Sequence, residues 1–235
     1  MIKPLNRSFA YQPPAVPYLE PGDRLTRAEF ERRYEAMPNL KKAELIDGVV
    51  HMPSPVRLDY HAAPHADMIA WLRLYAAETP GVQAAADSTL RLDRQNEFQP
   101  DGILLVLPEC GGQAQKSESG FLEGAPEWVG EIAASSASID LGRKREVYLR
   151  CGVREYFVWQ VMEHALDWFA LKADEFKPLR ADTQGILKSR VFPGLWLHVT
   201  ALLRSDLRTV RRILELGLAT PEHAAFVKRL AARRS

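Results

Sequence analysis

Two acids placed inside short apolar runs constrain this chain more than any other feature. Asp101 lies in Phe98-Gln-Pro-Asp101-Gly-Ile-Leu-Leu-Val-Leu107, and Glu131 lies in Glu127-Trp-Val-Gly-Glu131-Ile-Ala133. Both runs read as buried strand. Side chains alternate faces along a strand, so Asp101 shares a face with Ile103 and Leu105, and Glu131 shares one with Val129 and Ala133. Carboxylates in or near a core need a counter-charge. A hard divalent cation is the usual one, because carboxylate oxygens suit magnesium or manganese and the ion offsets the cost of taking the charges out of water.

The chain has 235 residues, 46% of them hydrophobic, enough to bury a core as one domain with appendages. Its formal charge of +1 carries no global attraction to nucleic acid or membrane, so any anionic partner must meet a local patch. One such patch runs from Leu202 to Ser235, where eight Lys and Arg face three acids. It suits a solvated helical face and a phosphate-binding role equally. The two cysteines, Cys110 and Cys151, form no CxxC pair, so neither a disulfide framework nor a thiolate metal site is expected. No amino-terminal segment pairs basic residues with an apolar stretch, and no run approaches membrane-spanning length, so a cytoplasmic protein is expected.

Prolines 4, 13, 14, 17 and 21 mark residues 1–23 as an extended arm. Thr26 and Glu29 form a capping box ahead of a helix to about Met37. Asp47-Gly48 then joins two short β runs as a hairpin, with Glu44 on the first strand. A helix is predicted from near Pro64 to Gly81, followed by strands at 82–92, 99–107, 127–133 and 155–161, the last joined by a hairpin to 164–171. A helix at 140–151 crosses between the third and fourth strands and ends at Gly152, while 108–126 reads as a polar loop. Two further helices are expected near 200–216 and 221–233. The order predicts an α/β domain with a mixed sheet and helices on its faces.

The position two after Glu131 is Ala133, where metal-dependent nucleases of the Asp…Glu-x-Lys type carry lysine. The replacement predicted here is Lys144, about one turn inside the helix that follows the loop Ser135–Ser138. Asp140, Lys144 and Tyr148 form one stripe at i, i+4 and i+8. The same spacing also suits a surface lysine between Arg143 and Arg145. His61 and His65 are four apart, but Pro64 between them places His61 before the helix and favours packing or capping roles over metal binding. His51 follows a hairpin strand and is a candidate to approach the acids. The tryptophans at 128, 159, 168 and 196 read as core residues, and Glu155 as a charge at the start of a strand.

Four blocks in order resemble the Uma family of putative restriction endonucleases, within the PD-(D/E)XK nuclease superfamily. They are Ala43-Glu-Leu-Ile-Asp-Gly48, Pro100-Asp101, Val129-Gly-Glu131-Ile-Ala-Ala-Ser135 leading to Lys144-x-x-x-Tyr148, and Gly152-Val-Arg-Glu-Tyr-Phe-Val-Trp159. The resemblance covers about Leu25 to Leu203. It implies a restriction-endonuclease-like core at 24–203 between the arm at 1–23 and a basic helical extension at 204–235. It also implies Asp101 and Glu131 as metal ligands, Lys144 as the electrostatic and proton-handling partner on the displaced helix, and Glu44 as a further acid beside the metal. The family block reads Glu-Val-Leu-Ser-Pro-Ser where this chain has Glu131-Ile-Ala-Ala-Ser135-Ser136, so the loop lacks its proline. The activity implied is Mg²⁺-dependent cleavage of phosphodiester bonds, with Mn²⁺ as substitute, in double-stranded DNA and by a homodimer. The rival classes are a catalytically silent nucleic-acid-binding or transposon-associated module, and a structural or toxin-regulating interaction protein.

Overall fold

A computed structural model describes residues 15–53 and 55–234. Prolines 4, 13 and 14 of the expected arm lie outside the described residues. Thr26 caps helix α1 (Arg27–Glu35) by accepting from the Glu29 N–H at 3.4 Å. The other half of the capping box is not made, because the Glu29 carboxylate accepts from Arg32 and Arg33 instead. Strands β1 (Glu44–Ile46) and β2 (Val49–His51) form the hairpin. Asp47 and Gly48 turn it at φ 48° and 74°, the left-handed pair that a two-residue hairpin loop requires.

The helix at Pro64 begins earlier than its sequence signals. A π turn at Leu58–Ala62 runs directly into α2 (Ala63–Ala77). Pro64 follows the change from π to α hydrogen bonding, where the helix takes in its missing N–H, so it does not separate His61 from His65. The expected strand at 82–92 is two strands. β3 (Val82–Ala85) ends before Asp87 at φ 49°, and β4 (Leu90–Arg91) joins a different sheet with β5 (Glu97–Phe98). β6 (Gly102–Val106) follows Asp101. The 108–126 loop contains two-residue strands β7 (Gln115–Lys116) and β8 (Leu122–Glu123), and β9 (Trp128–Ala133) completes the acid-bearing pair.

The crossover from β9 holds α3 (Ala137–Ile139), a π turn at Asp140–Lys144 and α4 (Arg145–Cys151), which Gly152 ends at φ 87°. It returns the chain to β10 (Glu155–Gln160), parallel to β9. β11 (Ala165–Lys172) and β12 (Glu175–Pro178) extend the sheet, and β13 (Ile186–Lys188) pairs with β14 (Trp196–His198). The helix expected at 200–216 is α5 (Val199–Leu203) and α6 (Leu207–Leu218), separated where Asp206 caps α6 by accepting from the Thr209 N–H. Helix α7 (Pro221–Arg233) has the predicted bounds.

Among the described residues the main sheet runs β12-β11-β10-β9-β6-β3, antiparallel except at β9-β10, and a smaller sheet runs β2-β1-β5-β4-β8-β7. Alternation divides the main sheet into two faces. Leu104, Trp128, Ile132 and Phe157 share one core with α2, α6 and α7, where Trp71, Trp128 and Trp168 meet edge-to-face. Truncating one of these tryptophans to Ala would cost about 3–5 kcal/mol. Ile103, Leu105, Val129 and Val158 share the other core with α4 and the smaller sheet. Helices α6 and α7 bury Val210, Leu214, Phe226 and Leu230 in the first core and leave their Lys and Arg exposed.

Gly102 and Gly130 face each other across β6 and β9. A Cβ on Gly102 would lie 2.8 Å from the Met68 Cε of α2, and one on Gly130 would lie 2.4 Å from the Trp128 ring. The glycines therefore let α2 lie close on one face. Their next neighbours, Asp101 and Glu131, project from the other.

Candidate active site

Antiparallel pairing brings the two acids together. Gly102 pairs with Gly130, so one step outward sets Asp101 opposite Glu131 on the neighbouring strand. Opposed residues in such a pair hold their Cβ atoms about 5 Å apart. Both acids are 3% exposed. Asp101 Oδ2 accepts from the Ile132 N–H at 2.7 Å, which locks the end of β6 to β9. Glu44 comes from β1 of the smaller sheet, where its Oε1 accepts from the Gln99 N–H at 2.8 Å.

Lys144 joins these acids. Its Nζ lies 2.8 Å from Glu44 Oε2, 3.1 Å from Glu131 Oε1 and 3.7 Å from Asp140 Oδ1. It is 4% exposed, which excludes the surface-lysine alternative. The stripe predicted from spacing is present, since Tyr148 donates to Glu131 Oε1 at 2.9 Å and Asp140 closes on Lys144. Lys144 ends a π turn instead of lying inside a regular helix. Gly142 takes the non-helical φ −99°, ψ −106° within that turn. Ser136 holds the turn by donating to Asp140 Oδ2 at 2.6 Å, and Tyr156 donates to the Asp140 carbonyl at 3.0 Å.

Charge in this cluster is shared. Burial pushes the Glu131 carboxyl up to about 8, with Asp140, Asp101 and Glu44 adding repulsion and Lys144 opposing them. Burial also raises Asp140. Burial works against the charge on Lys144 as well, but Glu131, Glu44 and Asp140 outweigh it and hold the ammonium charged far above neutrality. Several carboxylates around one ammonium do not all ionise together at neutral pH, so the retained proton belongs to the cluster and not to one residue. Asp101 behaves differently. Burial opposes its charge too, yet His61, Lys42 and the Ile132 N–H pull it down to about 2.

A model of the Uma2 family, described as "Putative restriction endonuclease", matches residues 27–200. The chain belongs to this family. A crystal structure described as "a putative nuclease belonging to DUF820 from Anabaena variabilis ATCC 29413" is similar to this Uma2 protein at a TM-score of 0.56 and 14% identity. The match covers 75% of this chain and 97% of the other, and it shows a common fold. The α/β architecture is therefore restriction-endonuclease-like. No curated protein matches. Among the described residues no helix is long and apolar enough to cross a membrane.

Four side chains around Asp101 escaped the sequence reading of this Uma2 chain. His61 Nε2 lies 3.3 Å and Lys42 Nζ 3.7 Å from Asp101 Oδ1. His65 Nε2 lies 2.6 Å from the Asp101 carbonyl oxygen and 4.0 Å from Asp87 Oδ2. Of the two histidines expected to pack or cap, His61 meets the Asp101 carboxylate, whereas His65 meets its backbone carbonyl. The signal was the four-residue spacing, set aside because Pro64 lies between the two. His51 lies opposite Glu44 in the hairpin register, with Nε2 buried and unbonded among the described residues. Burial lowers its pKa.

The donor set fits a divalent cation. Asp101 Oδ1 is buried and makes no hydrogen bond among the described residues, although it has cationic neighbours. Lys144 and Tyr148 both bond Oε1 of Glu131, which leaves Oε2 for another partner. Carboxylate oxygens in this number suit magnesium or manganese.

Proposed function

We propose that this Uma2 protein is a metal-dependent endonuclease that hydrolyses phosphodiester bonds in double-stranded DNA and acts as a homodimer. One observation carries the reading: two buried acids oppose each other on neighbouring strands while a helix-borne ammonium sits 3.1 Å from one of them. Asp101 and Glu131 are the metal ligands. Bound there, Mg²⁺, or Mn²⁺ in its place, would act as a Lewis acid on the scissile phosphate and lower the pKa of a coordinated water.

The protein's own groups do the rest. Glu44 and Glu131 fix Lys144 Nζ, whose charge in a water-poor setting stabilises the negative charge that builds on phosphorus. Tyr148 orients Glu131 by donating to Oε1, which leaves Oε2 for the metal. Lys42, 26% exposed at its side chain and 3.7 Å from Asp101, is the cation best placed to meet a backbone phosphate directly. Two symmetric copies would cut the two strands of a duplex, which is the basis for the dimer.

Cleavage of supercoiled plasmid tests this. Nicked and linear products should form with Mg²⁺ or Mn²⁺, disappear with chelator, and be lost in Asp101→Asn and Glu131→Gln. Retained DNA affinity without cleavage in any divalent ion would instead identify a silent binding module. A single-stranded RNA substrate cut in preference to duplex DNA would overturn the choice of DNA.

A further inference from the structure

We infer that His65 and Asp87 complete a cation site with Asp101 on its α2 side, and that the imidazole biases that site toward Mn²⁺ over Mg²⁺. The inference rests on the metal-dependent reading above and extends its ligand set. One ligand atom from each of His65, Asp87 and Asp101 lies within 4.8 Å of the others. Opposite ligands of one ion at about 2.1 Å stand about 4.2 Å apart, so only a small closure is needed.

The three residues reach this point by independent routes. His65 is on the first turn of α2, which the glycine pair lets down onto the sheet. Asp101 ends the loop into β6, and Asp87 turns the chain between β3 and β4 at φ 49°. Asp101 is 3% exposed, and its Oδ1 makes no hydrogen bond among the described residues. A buried carboxylate oxygen in that state costs free energy unless something else meets it. What meets it here is ion pairing with Lys42 and His61, at 3.7 and 3.3 Å, which a bound cation would take over.

Asp87 differs from Asp101 in its exposure. Its side chain is 59% exposed, so an ion held between the two carboxylates would keep an open side for water or a phosphate oxygen. The preference follows from ligand chemistry. Magnesium takes oxygen ligands almost exclusively, whereas an imidazole nitrogen suits divalent transition-metal ions, of which manganese is the one nearest magnesium in its taste for carboxylates. His65 Nε2 now meets the Asp101 carbonyl at 2.6 Å, a bond that it would exchange for the metal.

The test is a titration of the 235-residue chain with Mn²⁺ and then Mg²⁺, followed by calorimetry and by pulsed electron paramagnetic resonance of bound Mn²⁺. Wild type should show nitrogen hyperfine coupling to bound Mn²⁺. His65→Gln should lose that coupling and bind Mn²⁺ about tenfold or more weakly, with a smaller loss for Mg²⁺. Asp87→Asn should weaken both ions. Unchanged Mn²⁺ affinity and persistent nitrogen coupling in His65→Gln would overturn the proposal. If Glu131→Gln abolishes binding while His65→Gln and Asp87→Asn leave it intact, the metal-dependent reading stands and this ligand set falls. No Mn²⁺ binding by wild type would sink both.

Discussion

Two regions of the main sheet bury a glutamate, and they satisfy it in opposite ways. Glu155, at the start of β10, receives four hydrogen bonds from neutral donors: the Arg190 and Val191 N–H groups on Oε1, and Ser189 Oγ and Trp168 Nε1 on Oε2. Glu131, on the neighbouring strand, shares one oxygen between Lys144 and Tyr148 and faces three further acids. The first carboxylate stitches the 189–191 loop to the sheet and leaves no oxygen over. The second sits among charges that balance only as a group. A buried acid closed off by neutral donors reads as structure, while one that shares a cation with other acids and keeps an oxygen free reads as chemistry.

The largest expected effect separates the two regions at once. Lys144→Met removes the ammonium from among Glu44, Glu131 and Asp140 and should cost about 3–5 kcal/mol by thermal or urea unfolding, because it leaves buried acids unpaired. Cleavage should vanish with it. Stability equal to wild type would mean that Lys144 balances nothing. Next comes Asp101→Asn, which nearly preserves shape: plasmid cleavage should fall on the order of a hundredfold or more, and stability should drop by about 1–3 kcal/mol because Lys42 and His61 lose their counter-charge. A variant that cuts at the wild-type rate would remove Asp101 from the chemistry.

Glu155→Gln should give the reverse pattern. An amide presents N–H groups to donors, so the expected cost is about 1–3 kcal/mol with cleavage unaffected. Its pH dependence sharpens the contrast. Burial pushes the Glu155 carboxyl from 4.5 up to about 7, against the pull of its four donors. Between those values the unfolded chain has lost the proton and the folded chain keeps it, so the folded state binds more protons and stability from this group falls as pH rises through the window. The variant has no such loss. Its deficit relative to wild type should be widest below pH 4.5 and narrow by up to about 3 kcal/mol near pH 7. A deficit that grows with pH would show that the four donors hold Glu155 ionised throughout. The smallest effect is Tyr148→Phe, expected at about 1 kcal/mol with a modest loss of rate, since Lys144 still holds Glu131.

Much of the fold was legible because local signals and the sheet agreed. Asp47-Gly48 made the hairpin, Thr220-Pro221 opened α7 at its observed start, and period-two alternation put Asp101 and Glu131 on the same face as Ile103 and Val129. The pairing of those acids was implied by the family blocks, and the Gly102–Gly130 register accounts for it. The histidines were missed because Pro64 was read as the helix start, whereas a π turn carries helical backbone back to Leu58 and takes in His61. Asp87 and Lys42 carried no motif, since each reaches the site only through contacts between distant segments. The strands at 175–178, 186–188 and 196–198 are short and lie among turns, so their pattern was too brief to read.

A crystal soaked in Mn²⁺ and measured at the manganese absorption edge tests the central claim most directly. The account predicts an anomalous peak within bonding reach of the Asp101 carboxylate and Glu131 Oε2, with Lys144 still held by Glu44. A peak elsewhere, or none while the two acids keep their positions across β6 and β9, would contradict it.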